Sequence, residues 1–552
     1  MSDARATDPD PGTTAAELEL RGALLAPAPK AAAWGWLGPL LVSALAAVLR
    51  LADLGRPREL VFDETYYVKQ AYSLLQLGYE ARWLAGADER FAAGDFAALT
   101  TTAEYYVHPP LGKWLIAAGM QVLGAENAAG WRLGTALAGV VTVFLLARIV
   151  RRMFASTLLG CVAGLLLALD GMHIVESRVG LLDVFLGLFA VAAFGAVVLD
   201  REQARRRLAH RVARRGTGST RQPATAEPGR AGAERPAPGL GIRWWLVAAG
   251  VLCGLAIGVK WSGAYVLAVL GVLTVAWSMS ARRVVGGPWL RTTLRRDVVP
   301  SFLALVPVAA LAYLATWAAW FANPDSYLRQ WAATSPEAGR SWLPDALDSL
   351  VEFHLMVWDF HTGLSSPHAY EAAPLGWILQ LRPTSFFWGT VADPETACGA
   401  ERCAQAITSL GNPVLWWAGV AALAAVAFAA VRLRDWRAWT VLAGYAALWL
   451  PWLAYPERTT FTFYAVALAP FVAMAVTYGI ALLLGYRARE VPSGDGPAVL
   501  LPPQDFSAAG PWVAAALLVA VAAATAFFWP VWTAEVITFE QWQWRMWLPS
   551  WV

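Results

Sequence analysis

The chain has 552 residues, 58% of them hydrophobic and only 15% charged, with 30 Trp and a formal net charge of +3. That is too little charge to cover a soluble protein of this length, so lipid is its main solvent. A nucleic-acid footprint is excluded as well, because the basic residues sit in short loops between apolar runs.

Residues 1 to about 33, rich in Ala, Pro, Thr and charge, read as a disordered cytoplasmic tail without a cleavable signal. From 34 to 552 the chain reads as one polytopic membrane domain. A helix needs roughly 20 apolar residues to cross the hydrocarbon core. Spans are expected near 34–53, 131–150, 155–171, 181–199, 244–261 and 263–279. Five more are expected near 301–321, 414–431, 438–454, 463–485 and 510–529, about eleven in all.

Basic loops set the orientation. The loop at about 200–243 holds eleven Arg, that at 280–300 holds five, and the turns Arg148–Arg152, Arg432–Arg437 and Arg487–Arg489 are also basic. Eleven spans with a cytoplasmic N-terminus put every one of these in the cytoplasm. The C-terminus and two long loops, about 54–130 and 322–413, then lie outside. Residues 111–124 are apolar but too short to span comfortably, and are expected as an amphipathic helix on the outer membrane surface.

Two cysteines, Cys161 and Cys253, fall in apolar spans. Cys398 and Cys403 share an external loop, where an oxidising compartment favours a disulfide over a metal site.

The first long loop opens with Val61-Phe62-Asp63-Glu64-Thr65-Tyr66-Tyr67. Paired carboxylates framed by aromatics supply a general base, a metal ligand or merely solvated charge. Next comes His108-Pro109-Pro110-Leu111-Gly112-Lys113, in which Pro-Pro precedes a helix-like run. By spacing alone His108 is as well explained as a polar cap at the interface. Arg132 stands at the outer mouth of the second span, Arg178 before the fourth, Lys260 at the outer end of the fifth, and Arg382 in the second long loop. Cations at a membrane boundary can simply snorkel to water. Several of them converging with an acidic pair also make a site for a lipid-linked phosphate. No Walker A run, GxGxxG after a strand, or HExxH occurs, which argues against a nucleotide-sugar donor.

Together these segments resemble the protein O-mannosyltransferases, a family of C-type glycosyltransferases. The resemblance runs in order through Phe62-Asp63-Glu64-Thr65-Tyr66-Tyr67, His108 to Lys113, Gly130-Trp131-Arg132-Leu133 and Leu169-Asp170-Gly171-Met172-His173. It continues through Ser177-Arg178, Gly258-Val259-Lys260-Trp261-Ser262-Gly263, Phe360-His361-Thr362-Gly363-Leu364 and Leu381-Arg382-Pro383. It implies an all-α integral membrane C-type glycosyltransferase fold, with surface helices in the two long loops. It implies transfer of mannose from polyprenyl-phosphate mannose to Ser or Thr of exported polypeptides, by an inverting single displacement.

By the same resemblance Asp63 is the base and Glu64 its catalytic neighbour. Arg132 binds the departing phosphate, with Lys260, Arg382, His361, Arg178 and His108 as further substrate contacts. A divalent cation stays open, since no ligand cluster demands one. The second loop is too short for the β-trefoil domain of eukaryotic members, so the chain looks bacterial, with its site on the outer face of the plasma membrane. Its partners are then the bilayer, secreted or membrane polypeptides and the export machinery. Two rivals stay open: a related C-type enzyme acting on a lipid or wall glycan, and a transporter or flippase. The latter commonly shows repeated halves, which this chain lacks.

Overall fold

The computed structural model describes residues 14–26, 29, 32–218, 237–335, 337, 339–489, 499–501 and 508–552. All eleven expected stretches contain a helix. Eight of these helices are long and apolar enough to cross a membrane: Trp34–Leu51, Ala128–Phe154, Asp183–Arg215, Gly263–Val285, Trp289–Thr316, Pro413–Arg432, Thr462–Leu483 and Gly510–Trp532. A ninth span arises if Thr157–Ala168 and Gly171–Ser177, bent by 65° at their junction, act as one. Among the described residues, length and composition alone thus mark eight or nine of the eleven expected stretches as spans. The helix Trp244–Val259 has only 16 residues, roughly 24 Å at 1.5 Å per residue. Trp436–Leu448 stops after 13 and continues as a 3-10 turn, Leu450–Ala454.

Local sequence explains where these helices begin. Asn127, Ser156, Asp170, Asn412 and Asp435 each accept a hydrogen bond from a backbone N–H of the first turn that follows. Small residues explain how closely the helices pack. Gly250 and Gly254 lie one turn apart on the short helix, where an added Cβ would fall 2.6 Å from the Ala304 carbonyl oxygen and 2.4 Å from that of Ala309. Only glycine admits the 299–316 helix so close.

The two long loops meet on one end of the bundle. Tyr105 in the first donates to the Met356 carbonyl in the second, and Asn323 donates to the carbonyl of Leu77. Helices Glu64–Leu77, Leu111–Leu123 and Asp345–Gly363 lie here. The 111–123 helix is not merely laid on a surface: Gly112, Lys113, Ile116, Ala117, Gly119 and Met120 are buried. This end also carries strands. Ala81–Trp83 pairs with Leu99–Ala103, and Cys403–Ser409 is flanked by Thr384–Gly389 and Val536–Thr538. Cys398 and Cys403 form the expected disulfide, at the turn joining Thr384–Gly389 to Cys403–Ser409.

The arginine-rich end lies opposite. Arg437 donates to the Met153 carbonyl, and Arg152 pairs with Glu202 at 2.7 Å. Part of the expected disordered tail is ordered here. Thr14 caps the helix Ala15–Leu24, whose Glu17 bonds to His210 at 3.0 Å. Leu24 packs against Ala204, Leu208 and Leu240, burial that a disordered segment would lack. Residues 1–13 of that tail and 219–236 of the basic loop lie outside the described residues.

Candidate active site

Asp63 and Glu64 are adjacent in the chain and have opposite surroundings. Phe62 takes a left-handed backbone conformation, φ 50°. Its ring stacks on Phe386 at 4.5 Å and meets Phe463 edge-on at 5.4 Å. This aromatic anchor places Asp63 just before the helix Glu64–Leu77, where its side chain makes no capping hydrogen bond. The Tyr67 hydroxyl, one turn on, donates to Asp63 Oδ2 over a long 3.5 Å. Burial pushes the Asp63 carboxyl up to about 6; Lys260 draws it down and Asp183 pushes it further up.

Glu64 is fully buried and fully spent. Its oxygens accept from Arg132 Nε at 2.8 Å and Nη2 at 2.7 Å, from the Val61 N–H at 3.0 Å and from the Gly180 N–H at 2.6 Å. The remaining donors of Arg132 go to the carbonyls of Leu54, Pro57 and Glu59. All five guanidinium N–H groups thus have partners. Glu64, expected beside the base, and Arg132, expected on the phosphate, are thus engaged with each other here. The pair is a buried fork that locks the segment carrying Asp63.

Two further expected phosphate contacts, Arg178 and Arg382, are likewise engaged by backbone carbonyls. Arg178 donates to the carbonyls of Leu49, Arg50, Ala52 and Asp53, holding the end of the first span. Arg382 donates to the carbonyls of Ser550, Val552 and Ala369, which ties down the C-terminal residues. Neither lines the cavity described next.

Lys260, His108 and His361 are brought together. They line a cavity of about 530 Å³ at the loop-bearing end, together with Asp183, Arg458 and Trp261. Lys260 Nζ pairs with Asp183 at 2.7 Å and lies 5.1 Å from the centre of the Tyr464 ring. The His108 and His361 rings stack at 5.2 Å, and Tyr67 lies 6.0 Å from His108, which links Asp63 to the cavity. His361 Nε2–H donates to the Val107 carbonyl at 3.1 Å, leaving Nδ1 to accept from Arg458 Nη2 at 3.4 Å. Burial, reinforced by Arg458, drives His361 down to about 4, and burial with Lys260 and His361 nearby holds His108 well below the usual range. Both imidazoles are neutral near pH 7, so they offer hydrogen bonds rather than charge.

Arg458 was not among the expected residues, and neither was Asp183. Among the described residues the partners of Arg458 are neutral: the carbonyls of His361 and Thr459, the His361 ring, and the Trp452 ring at 5.3 Å. It therefore brings an unbalanced positive charge to the cavity. A signal existed for Asp183, a lone acid opening the long apolar run of the 183–215 helix. Arg458 lies in a short loop between two spans and carried no such mark.

An apolar groove of about 370 Å³ adjoins the cavity, sharing Ala264 with it. Leu267, Gly271, Val275, Phe302 and Leu305 line it, between the helices Gly263–Val285 and Val299–Thr316. Among the described residues no group of three or more His, Cys, Asp and Glu is arranged to hold a metal ion.

Residues 40–211 match the family model for dolichyl-phosphate-mannose-protein mannosyltransferase, and residues 346–551 match that for the C-terminal four-span region of protein O-mannosyltransferase. The polyprenol-phosphate-mannose–protein mannosyltransferase of Mycobacterium tuberculosis is 37% identical over 530 residues, 94% of this chain and 92% of that protein. Its Corynebacterium glutamicum counterpart is 32% identical over 490 residues, 85% of this chain and 87% of the other. The yeast protein O-mannosyltransferase Pmt1-Pmt2 complex, solved with the sugar donor bound, superposes with a TM-score of 0.66 at 14% identity. It covers 97% of this chain and 94% of its own, a likeness of fold.

Proposed function

We infer the chemistry of this site from its geometry and from the family: the chain belongs to the polyprenol-phosphate-mannose–protein mannosyltransferases. It is a multi-span membrane glycosyltransferase that transfers mannose from a polyprenyl-phosphate carrier to protein. In our reading Asp63 is the base. The acceptor hydroxyl oxygen of a Ser or Thr attacks the anomeric carbon and its proton passes to an Asp63 carboxylate oxygen. The bond from that carbon to the phosphate oxygen breaks, and the bonding pair leaves with the polyprenyl phosphate. A phosphate is a good leaving group, so no strong acid is required opposite the base.

One observation carries this reading. Among the described residues Asp63 keeps its carboxylate out of any cap or ion pair, raised to about 6, within electrostatic reach of the Lys260–Asp183 pair. A base tuned near the working pH combines availability with proton affinity. Arg458, whose charge no described carboxylate balances, holds the donor phosphate with Lys260, in the place first assigned to Arg132 and Arg382. His108 and His361 add neutral N–H or acceptor contacts. The adjoining apolar groove takes the first isoprene units of the carrier.

The arginine-rich end faces the cytoplasm, and the disulfide-bearing loop end with its cavity faces outward across the plasma membrane. The positive-inside rule and the Cys398–Cys403 bond support that orientation. There the site meets polypeptides as the export machinery delivers them.

The test is transfer by the purified enzyme from polyprenyl-phosphate mannose to a Ser/Thr-rich peptide, for the parent and for Asp63→Asn. We expect peptide mannosylation by the parent and its loss in the variant at unchanged expression. An active Asp63→Asn enzyme removes Asp63 as the base. Transfer to glycan or lipid alone overturns the protein acceptor.

A further inference from the structure

The cavity wall next to Lys260 is an indole ring held by a chain of hydrogen bonds that the reaction above does not use. Trp261 Nε1–H donates to the Tyr313 hydroxyl at 3.2 Å. The Tyr313 O–H donates in turn to His354 Nε2. His354 Nδ1–H donates to the Leu350 carbonyl at 2.6 Å. Each donor in the chain has one acceptor, so the imidazole tautomer is determined. Burial keeps His354 below its usual range, hence neutral, as the chain requires.

The His354 ring also stacks on Trp261, with centroids 5.4 Å apart and planes at 24°. Behind it Trp317 and Phe353 belong to a buried aromatic cluster, so His354 has little room to move. An aromatic-belt Trp turns its polar edge to the interfacial water. Trp261 turns its N–H inward to Tyr313 and has one face covered by His354, while the residue lines the cavity.

We propose that Trp261 is the platform on which the hexose ring of the donor stacks, with Tyr313 and His354 as positioning residues that hold its plane. This rests on the mannosyl-donor reading above. In a mannopyranose chair the axial hydrogens of C3 and C5 lie on one face and the axial O2 on the other. The C3/C5 face is thus apolar enough to lie on an indole, while the hydroxyl-bearing edge stays free for His108 and His361. The sequence of groups fits the wall: Lys260 and Arg458 for phosphate, the apolar groove beyond Ala264 for the prenyl chain, and Trp261 for the sugar. A rigid support matters because a ring already held in place costs less ordering when the donor binds.

The test compares two ligands, polyprenyl-phosphate mannose and bare polyprenyl phosphate, on the full-length enzyme in detergent or nanodiscs. Trp261→Ala is expected to weaken binding of the mannosyl carrier roughly 5- to 10-fold. The bare carrier should bind as it does to the parent. Donor KM should rise in parallel with little change in kcat, and Trp261→Phe should restore most of the affinity. Tyr313→Phe, which keeps both rings but breaks the chain, should raise donor KM by a smaller factor at unchanged kcat. If Trp261→Ala does not fold, Tyr313→Phe carries the same comparison, with weaker binding of the mannosyl carrier and unchanged binding of the bare one. Equal weakening of both ligands would make Trp261 a lipid or phosphate contact and overturn the proposal, as would no change in either. A parent enzyme that discriminates the two ligands through Trp261 yet mannosylates no peptide would instead overturn the acceptor reading alone.

Discussion

Two neighbouring parts of this molecule handle charge in opposite ways. Around Glu64 and Arg132 every donor and acceptor is matched within a sealed knot of ion pair and backbone. In the cavity wall Lys260 and Asp183 are matched to each other, while Arg458 in that wall and Asp63 beside it keep charges that no described ion pair balances. Saturation around Glu64 makes structure, whereas the charges of Asp63 and Arg458 are left for substrate. The difference teaches that an Asp-Glu pair can divide its labour between adjacent residues, with one carboxylate holding the backbone that aims the other.

The sharpest way to break that contrast is to exchange the Asp63 carboxylate for its amide. Asp63→Asn should lower kcat by roughly 10²- to 10⁴-fold, the usual worth of a positioned base. The same change should raise the melting temperature above pH 6. With the folded pKa above the ordinary carboxylate value, the ionised side chain destabilises the fold there. Loss of both stability and activity would return Asp63 to a structural role.

Arg132→Ala should behave in the reverse sense. Removing one partner of a buried pair leaves Glu64 charged and unmatched, at a cost of about 3–5 kcal/mol. Thermal unfolding in detergent should report that loss directly. A stable variant altered only in donor KM would restore Arg132 as a phosphate ligand.

The pH profile gives the next largest effect. Asp63 acts as a base only when ionised, so kcat/KM should fall tenfold per pH unit below about 6 and level off above it. That limb should vanish from whatever residual activity Asp63→Asn retains. A profile flat to pH 5 would show that this carboxylate does not titrate in the rate-limiting step.

The smallest contrast sets Arg458→Gln against Arg382→Gln. The first should raise donor KM by roughly tenfold, the scale of one charge-assisted hydrogen bond. The second should leave donor KM alone and loosen the C-terminal residues, read as faster proteolysis near Trp551. Equal effects on KM would place both arginines on the phosphate.

Much of this was legible in the residues themselves. The apolar runs that became helices, the capping residues at their starts, and the polarity of their Arg-rich ends follow from composition and short-range spacing. So do the pairing of Cys398 with Cys403 and the prominence of Asp63. Helix length was less legible, because Trp244–Val259 and Trp436–Leu448 read as full spans in hydropathy, yet as continuous α-helices they have only 16 and 13 residues.

What a cation does was not legible at all. Arg132, Arg178, Lys260 and Arg382 look alike as single basic residues at the ends of apolar runs. Three of them turned out to be saturated by carbonyls or a carboxylate drawn from distant segments. The periodicity and charge of a segment are local properties, so the sequence by itself determines where helices lie and which end of the bundle carries the arginines. Whether a charged group is spent or free depends on partners tens to hundreds of residues away. Only the tertiary packing that closes Arg132 onto Glu64, and leaves Asp63 near Lys260 without an ion pair among the described residues, decides that.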